Sequence, residues 1–203
     1  MMVEPSSDQN PVPSPASISI QAKKRAVTLC IAIGLLAASL LLTGCGASSY
    51  RCTDPLGCLT ISPNDPVVIG ALITVEGSQG KTGLTALAEL KNAIAGTGSI
   101  LGHEITLDWQ GDDCTEAGAR VAATLLTLNT DLTAVIGPTC AADAPFALSI
   151  LTDAGLAEIS LSPNATAAFQ RLIQAIEQAA IQQINGTLII PRTKLQQQFV
   201  LLP

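Results

Sequence analysis

Between Pro66 and Leu161, short β-branched runs alternate with longer stretches of helical spacing, and no other feature narrows the fold as far. Pro66-Val67-Val68-Ile69-Gly70-Ala71-Leu72-Ile73 predicts a strand buried on both faces. After a loop over 74–81, Leu84, Leu87, Leu90 and Ile94 recur at three and four, an apolar helical stripe expected to end at Gly96. Glu104 to Gln110 alternates, with Ile105, Leu107 and Trp109 on one face, as an edge strand does. A helix from about Thr115 is expected to bury Val121, Leu125 and Leu128 and to pair Glu116 with Arg120 on its wet face. Leu132 to Ile136 reads as a third strand. It leads to a helix with Asp143 as N-cap, Pro145 in the first turn and Gly155 as the stop. Ala157 to Leu161 is the fourth strand. This order implies an α/β fold of three layers, a mostly parallel sheet with helices on both faces. In such sheets ligands bind at the carboxyl ends of strands, which directs attention to the loops 74–81, 112–114, 138–142 and 162–166.

The tail has another texture. Ala167 to Ile184 predicts one long Gln/Ala-rich helix with Phe169, Leu172, Ile173, Ile176 and Ala180 in a stripe, closed by Asn185-Gly186. Thr187 to Pro191 is strand-like, and Thr193 is placed to cap a last helix that buries Leu195 and Phe199.

The N-terminus reads as an address. A proline-punctuated polar stretch precedes Lys23-Lys24-Arg25 and an apolar run from Ala26 to Leu42, the order of an export signal. Leu42-Thr43-Gly44-Cys45 resembles the lipobox of bacterial lipoproteins. That resemblance implies cleavage before Cys45, lipid attachment at its thiol, and residues 1–44 as a signal peptide. The rival is an uncleaved membrane anchor, for which the run is short. Both place the rest of the chain outside the cytoplasmic membrane, with the positive flank inside.

Outside the cytoplasm, the cysteines beyond Cys45 read as two disulfides. Cys52 and Cys58 enclose the turn-forming Thr53-Asp54-Pro55-Leu56-Gly57, which makes 45–65 a tether with a small disulfide loop. Cys114 and Cys140 each follow a predicted strand, and adjacent strand ends in a parallel sheet suit a disulfide. A four-thiolate zinc site is the rival, but the close C-x-x-C spacing it favours is absent from both pairs.

Charge and composition exclude several functions. A net charge of -6 and no basic patch argue against nucleic-acid binding, and 2% aromatic content leaves little for stacking bases. One histidine, His103, leaves almost no scope for a His-based metal site or a Ser/His/Asp triad, so no enzymatic activity and no cofactor are expected. Gly80-Lys81-Thr82 imitates a P-loop, but the glycine required five residues earlier is Val75. Asp108, Asp112, Asp113 and Glu116 form an acidic cluster without the spacing of an EF-hand loop. Ser162-Pro163-Asn164-Ala165-Thr166 remains open between a carboxylate-holding loop and a simple helix cap.

Taken in order, Val68-Ile69-Gly70-Ala71, Glu76-Gly77, Leu101 to Leu107, Asp112-Asp113-Cys114, Ala134 to Cys140, Ala154-Gly155 and Ser160 to Thr166 resemble the periplasmic leucine/isoleucine/valine-binding proteins, the type I solute-binding components of ABC importers. The resemblance covers about residues 66–166 and implies a first solute-binding lobe there. It assigns a carboxylate contact to Thr166 and an ammonium contact to the carbonyl of Asn164 or Ala165. It places a further contact at Ala141 and Ala142 after the second cysteine, where the family's hydroxyl is replaced by Ala141. Residues 167–203 resemble the family's tail, so the second lobe is expected to be missing. The partners implied are an amino acid bound weakly, the membrane through the lipid anchor, and an importer permease or another binding protein. The alternative is a non-transport interaction protein that dimerises or docks through the exposed lobe face.

Overall fold

The computed structural model describes residues 50–201 apart from 162, 163 and 184. The expected signal peptide, Cys45, Ser162 and Pro163 lie outside the described residues. Among the described residues, no helix is long and apolar enough to cross a membrane.

Along the chain the elements are β1 (Cys58–Ile61), β2 (Val67–Thr74), a 3-10 turn (Gly77–Gln79), α1 (Gly80–Thr97), β3 (Ser99–Ile100), β4 (His103–Asp112), α2 (Glu116–Thr127), β5 (Leu132–Ile136), α3 (Ala144–Asp153), β6 (Ala157–Ile159), α4 (Ala165–Ala179), β7 (Ile181–Gln182), β8 (Leu188–Pro191) and α5 (Arg192–Leu201). The main sheet has the order β3-β4-β2-β5-β6. Its four longer strands are parallel, and only the two-residue β3 runs antiparallel. β2 sits in the middle, and its β-branched run serves both faces. Val67, Ile69, Ala71 and Ile73 join one core with Leu87 and Leu90 of α1 and Phe169, Leu172 and Ile176 of α4. Leu72 points to the other core, with Ala119, Ala122, Ala123 and Leu126 of α2 and Ala147 and Leu151 of α3. The fold is the expected α/β three-layer arrangement.

α2 is turned from its expected register. Val121, Leu125 and Leu128 are exposed, Val121 by 60% and Leu128 by 72%, while the stripe Ala119, Ala122, Ala123 and Leu126 is buried. Small side chains let α2 approach the sheet and α3 closely, and that contact outweighs the pull of the larger residues. Leu84 of α1 is likewise half exposed. α1 runs past Gly96 to end at Gly98, whose φ of 75° suits only glycine without strain. Another glycine matters for packing: a Cβ on Gly83 would run into the Thr74 carbonyl, so α1 lies directly against the end of β2.

The ends of the described chain form a second sheet of order β1-β8-β7, all antiparallel. β1 therefore lies within the stretch read as tether. The long tail helix stops at Ala179, where Ala180 turns extended and β7 begins. Asp54 fastens the Cys52–Cys58 loop to α5: its carboxylate accepts from Thr193 N and from Thr193 Oγ1 at 2.8 Å. Burial works against ionisation of Asp54, but hydrogen bonds from Thr193, Leu56 and Lys194 outweigh it and hold the carboxyl below its ordinary range. Thr193 thus binds Asp54 at the start of α5, and Leu195 is buried as expected.

Candidate functional site

β2 sends its crossover to β4 on one side of the sheet, whereas β5 sends its crossover to β6 on the other. Between these diverging connections the carboxyl ends of the strands open a crevice, the place where doubly wound sheets hold ligands. A cleft of about 820 Å³ lies there, within the usual range for small-molecule sites. Its walls come from the start of α1 (Lys81, Thr82), the segment after β5 (Thr139, Ala141) and the segment after β6 (Asn164, Ala165).

Three of the five residues assigned to ligand binding meet in this cleft: Ala141, Asn164 and Ala165. Ala142 and Thr166 are exposed and are not among its lining residues. The cap of α4 is Asn164, whose side chain accepts from Ala167 N at 2.8 Å, so the loop does serve as a helix cap. Asn164 is thereby held at the rim with its side-chain oxygen committed to the helix.

Both expected disulfides are present. Cys52 and Cys58 lie 6.0 Å apart at Cα, and Cys114 and Cys140 lie 5.6 Å apart, within the range a disulfide needs. They fit an oxidising compartment. The second clips the end of β4 to the loop after β5, at Cys140 between the cleft residues Thr139 and Ala141. Among the described residues, the group that places three metal-type ligand atoms within reach of one another is Cys114, Cys140 and Asp143, and its two sulfurs are bonded to each other.

The acidic cluster disperses into separate tasks. Asp108 accepts from Asn129 Nδ2 at 2.7 Å, Asp113 accepts from Thr115 Oγ1 at 2.6 Å, and Glu116 pairs with Arg120 at 3.0 Å. Asp112 Oδ1 accepts from Thr74 Oγ1 at 2.8 Å and from Cys114 N at 3.0 Å. Thr74 N in turn donates to Thr139 Oγ1 at 2.6 Å, so a polar thread ties the ends of β2, β4 and β5 together.

Asp143 departs from its expected role. Its side chain makes no cap bond and is buried, with 1% exposure. Neither of its oxygens has a donor, nor has Asp112 Oδ2, whose residue is 4% exposed. Burial first, then the facing Asp112 carboxylate, raise the Asp143 carboxyl to about 6. Protonation of Asp143 removes the repulsion of a second buried charge beside Asp112.

Gly80 owes its place to packing, because a Cβ there would lie 2.7 Å from the Val75 carbonyl oxygen. Lys81 is exposed on the cleft wall. A further lining residue, Glu158 of β6, was not singled out from the sequence. The available signal was one acidic residue inside an otherwise apolar strand, Ala157 to Leu161.

No protein-family model matches the chain, and no curated protein matches it. Among solved structures it is similar to a branched-chain amino acid transporter substrate-binding protein, LivJ from Streptococcus pneumoniae, in complex with isoleucine: 25% identity, 48% of this chain, 29% of that one, TM-score 0.45. It is also similar to an ABC transporter substrate-binding protein from Sphaerobacter thermophilus, at 25% identity over 50% of this chain and 27% of that one, TM-score 0.45. A leucine-binding protein LivK from Thermotoga maritima aligns over 66% of this chain and 44% of that one, at 15% identity and TM-score 0.45. The chain spans less than a third of the length of the first two.

Proposed function

We propose that this chain is an extracytoplasmic solute-binding lipoprotein of the branched-chain amino-acid importer type, a weak binder that takes its ligand in the cleft at the carboxyl edge of the main sheet. The observation that carries the reading is the meeting of Ala141, Asn164 and Ala165, drawn from two distant loops, in one cleft of about 820 Å³. At the rim, the start of α4 offers unpaired backbone N–H groups to a ligand carboxylate. The ammonium is received by the carbonyl of Asn164 or Ala165. Geometry supports the weakness, because a good site encloses roughly 70–90% of a small ligand and, among the described residues, a single α/β unit walls this one. Cys45 carries the lipid that holds the protein at the membrane, and an importer permease or a second binding protein is the partner.

The test is a thermal melt of the full-length chain in mild detergent, with leucine, isoleucine or valine at millimolar concentration. A ligand raises the midpoint only by binding the folded state, so a rise supports the reading and no rise with any amino acid removes it. Intact mass after expression in a bacterial host tests the anchor: the mature chain begins at Cys45 and carries lipid.

A second reading is an interaction protein. Val121, Leu125 and Leu128 form an exposed apolar stripe along α2 and its C-terminal end, and none of them lines the cleft. A mass that rises with concentration, and falls back on Leu128→Glu, favours that reading.

A further inference from the structure

Glu158 stands where a β-branched or apolar residue packs best. Its neighbours Ala157 and Ile159 are buried in the core shared with α1 and α4. Glu158 pairs in register with Val135, so its side chain leaves the sheet on the opposite face, toward α3. There it lines the cleft together with Leu148, Ser160 and Asn164. No hydrogen bond or ion pair engages it among the described residues, where Arg120 with Glu116 is the ion pair formed. Burial alone raises its carboxyl to about 7, with no nearby positive charge to offset it. An unpaired carboxylate half-buried on a strand costs stability unless something else compensates. β6 is the last strand of the sheet, and Glu158 is its one residue that lines the cleft.

We infer that Glu158 is the cation-receiving residue of the cleft, and that the site selects small ligands bearing an ammonium group next to an apolar body. This rests on the proposed binding cleft and refines it, since it moves the principal ammonium contact from a loop carbonyl to a carboxylate. The apolar part of the ligand lies against Leu148 and Leu161, and the ammonium meets Glu158.

The experiment is titration calorimetry of the full-length chain in mild detergent with three probes: leucine, 3-methylbutylamine, which lacks the carboxylate, and 4-methylpentanoate, which lacks the amine. Leucine and the amine bind the unaltered protein, and 4-methylpentanoate binds at least tenfold more weakly than leucine. Glu158→Gln keeps the shape and removes the charge, and it weakens leucine and the amine at least tenfold. If Glu158→Gln fails to fold, the preference between amine and carboxylate probes in the unaltered protein decides. Leucine bound equally by both proteins, or 4-methylpentanoate bound as tightly as leucine, overturns the inference and leaves the amino-acid reading standing. Amine bound in a Glu158-dependent way without any amino acid binding supports the inference and removes the amino-acid reading. Binding of none of the three removes both.

Discussion

Replacing Asp143 by asparagine should make the protein more stable at pH 8 and leave it nearly unchanged at pH 4. The carboxyl is raised from 3.8 to about 6 by burial and by the Asp112 carboxylate. Below pH 4 it is protonated both folded and unfolded, and no penalty arises. Between pH 4 and 6 the unfolded chain releases its proton while the folded protein keeps it, so stability falls as pH rises. Above pH 6 the loss is complete. At roughly 1.36 kcal/mol per pH unit it amounts to at most about 3 kcal/mol. The asparagine of the variant has no proton to lose, and its amide can donate to the orphaned Asp112 Oδ2. For a domain of this size, about 3 kcal/mol is roughly 6–12 °C in Tm. Glu158 contributes a slope of the same sign, but it is common to both proteins and cancels in the comparison. Melts followed by circular dichroism at half-unit steps from pH 4 to 8 measure the difference. A gap that does not grow with pH, or a variant less stable at pH 8, would refute the raised Asp143 carboxyl and mean that something else offsets its burial.

Other perturbations separate packing from surface. Leu126→Ala should cost about 2–5 kcal/mol in urea unfolding, whereas Leu128→Ala should stay within about 0.5 kcal/mol; the reverse order would restore the helix register expected from sequence. Gly83→Ala forces α1 away from the Thr74 carbonyl and should lower stability by more than about 1 kcal/mol, against the gain an alanine brings to an open helical site. Changing both Cys114 and Cys140 to serine opens a clip of sequence separation 26 and should cost about 3 kcal/mol under oxidising conditions. Under reducing conditions the two proteins should melt together.

The sheet was legible because a strand buried on both faces is apolar over nearly its whole length, and β2 and β5 have that signature. α2 was not, because helical spacing of large residues competes there with a stripe of alanines. Which stripe faces inward depends on how near the sheet and α3 approach, and that distance is set by residues far away in the chain. At the site, Ala141, Asn164 and Ala165 were reached through a resemblance between motifs. Lys81 was noticed for the wrong chemistry, as part of a P-loop imitation. Glu158 and the Asp112–Asp143 pair escaped because a single acidic residue says nothing about its burial or its facing partner until the strands are set in register.

The small sheet has a bearing on when the fold can form. Cys58 stands opposite Pro191 in the pairing of β1 with β8. The first strand of the described chain therefore waits for almost the last, and nothing near it in sequence can take that place. Closing so distant a contact is slow, and it is impossible while the C-terminal part is still being made or moved. The core strands remain without their end sheet until the C-terminal part is present, and only then can Asp54 clamp the Cys52–Cys58 loop to α5.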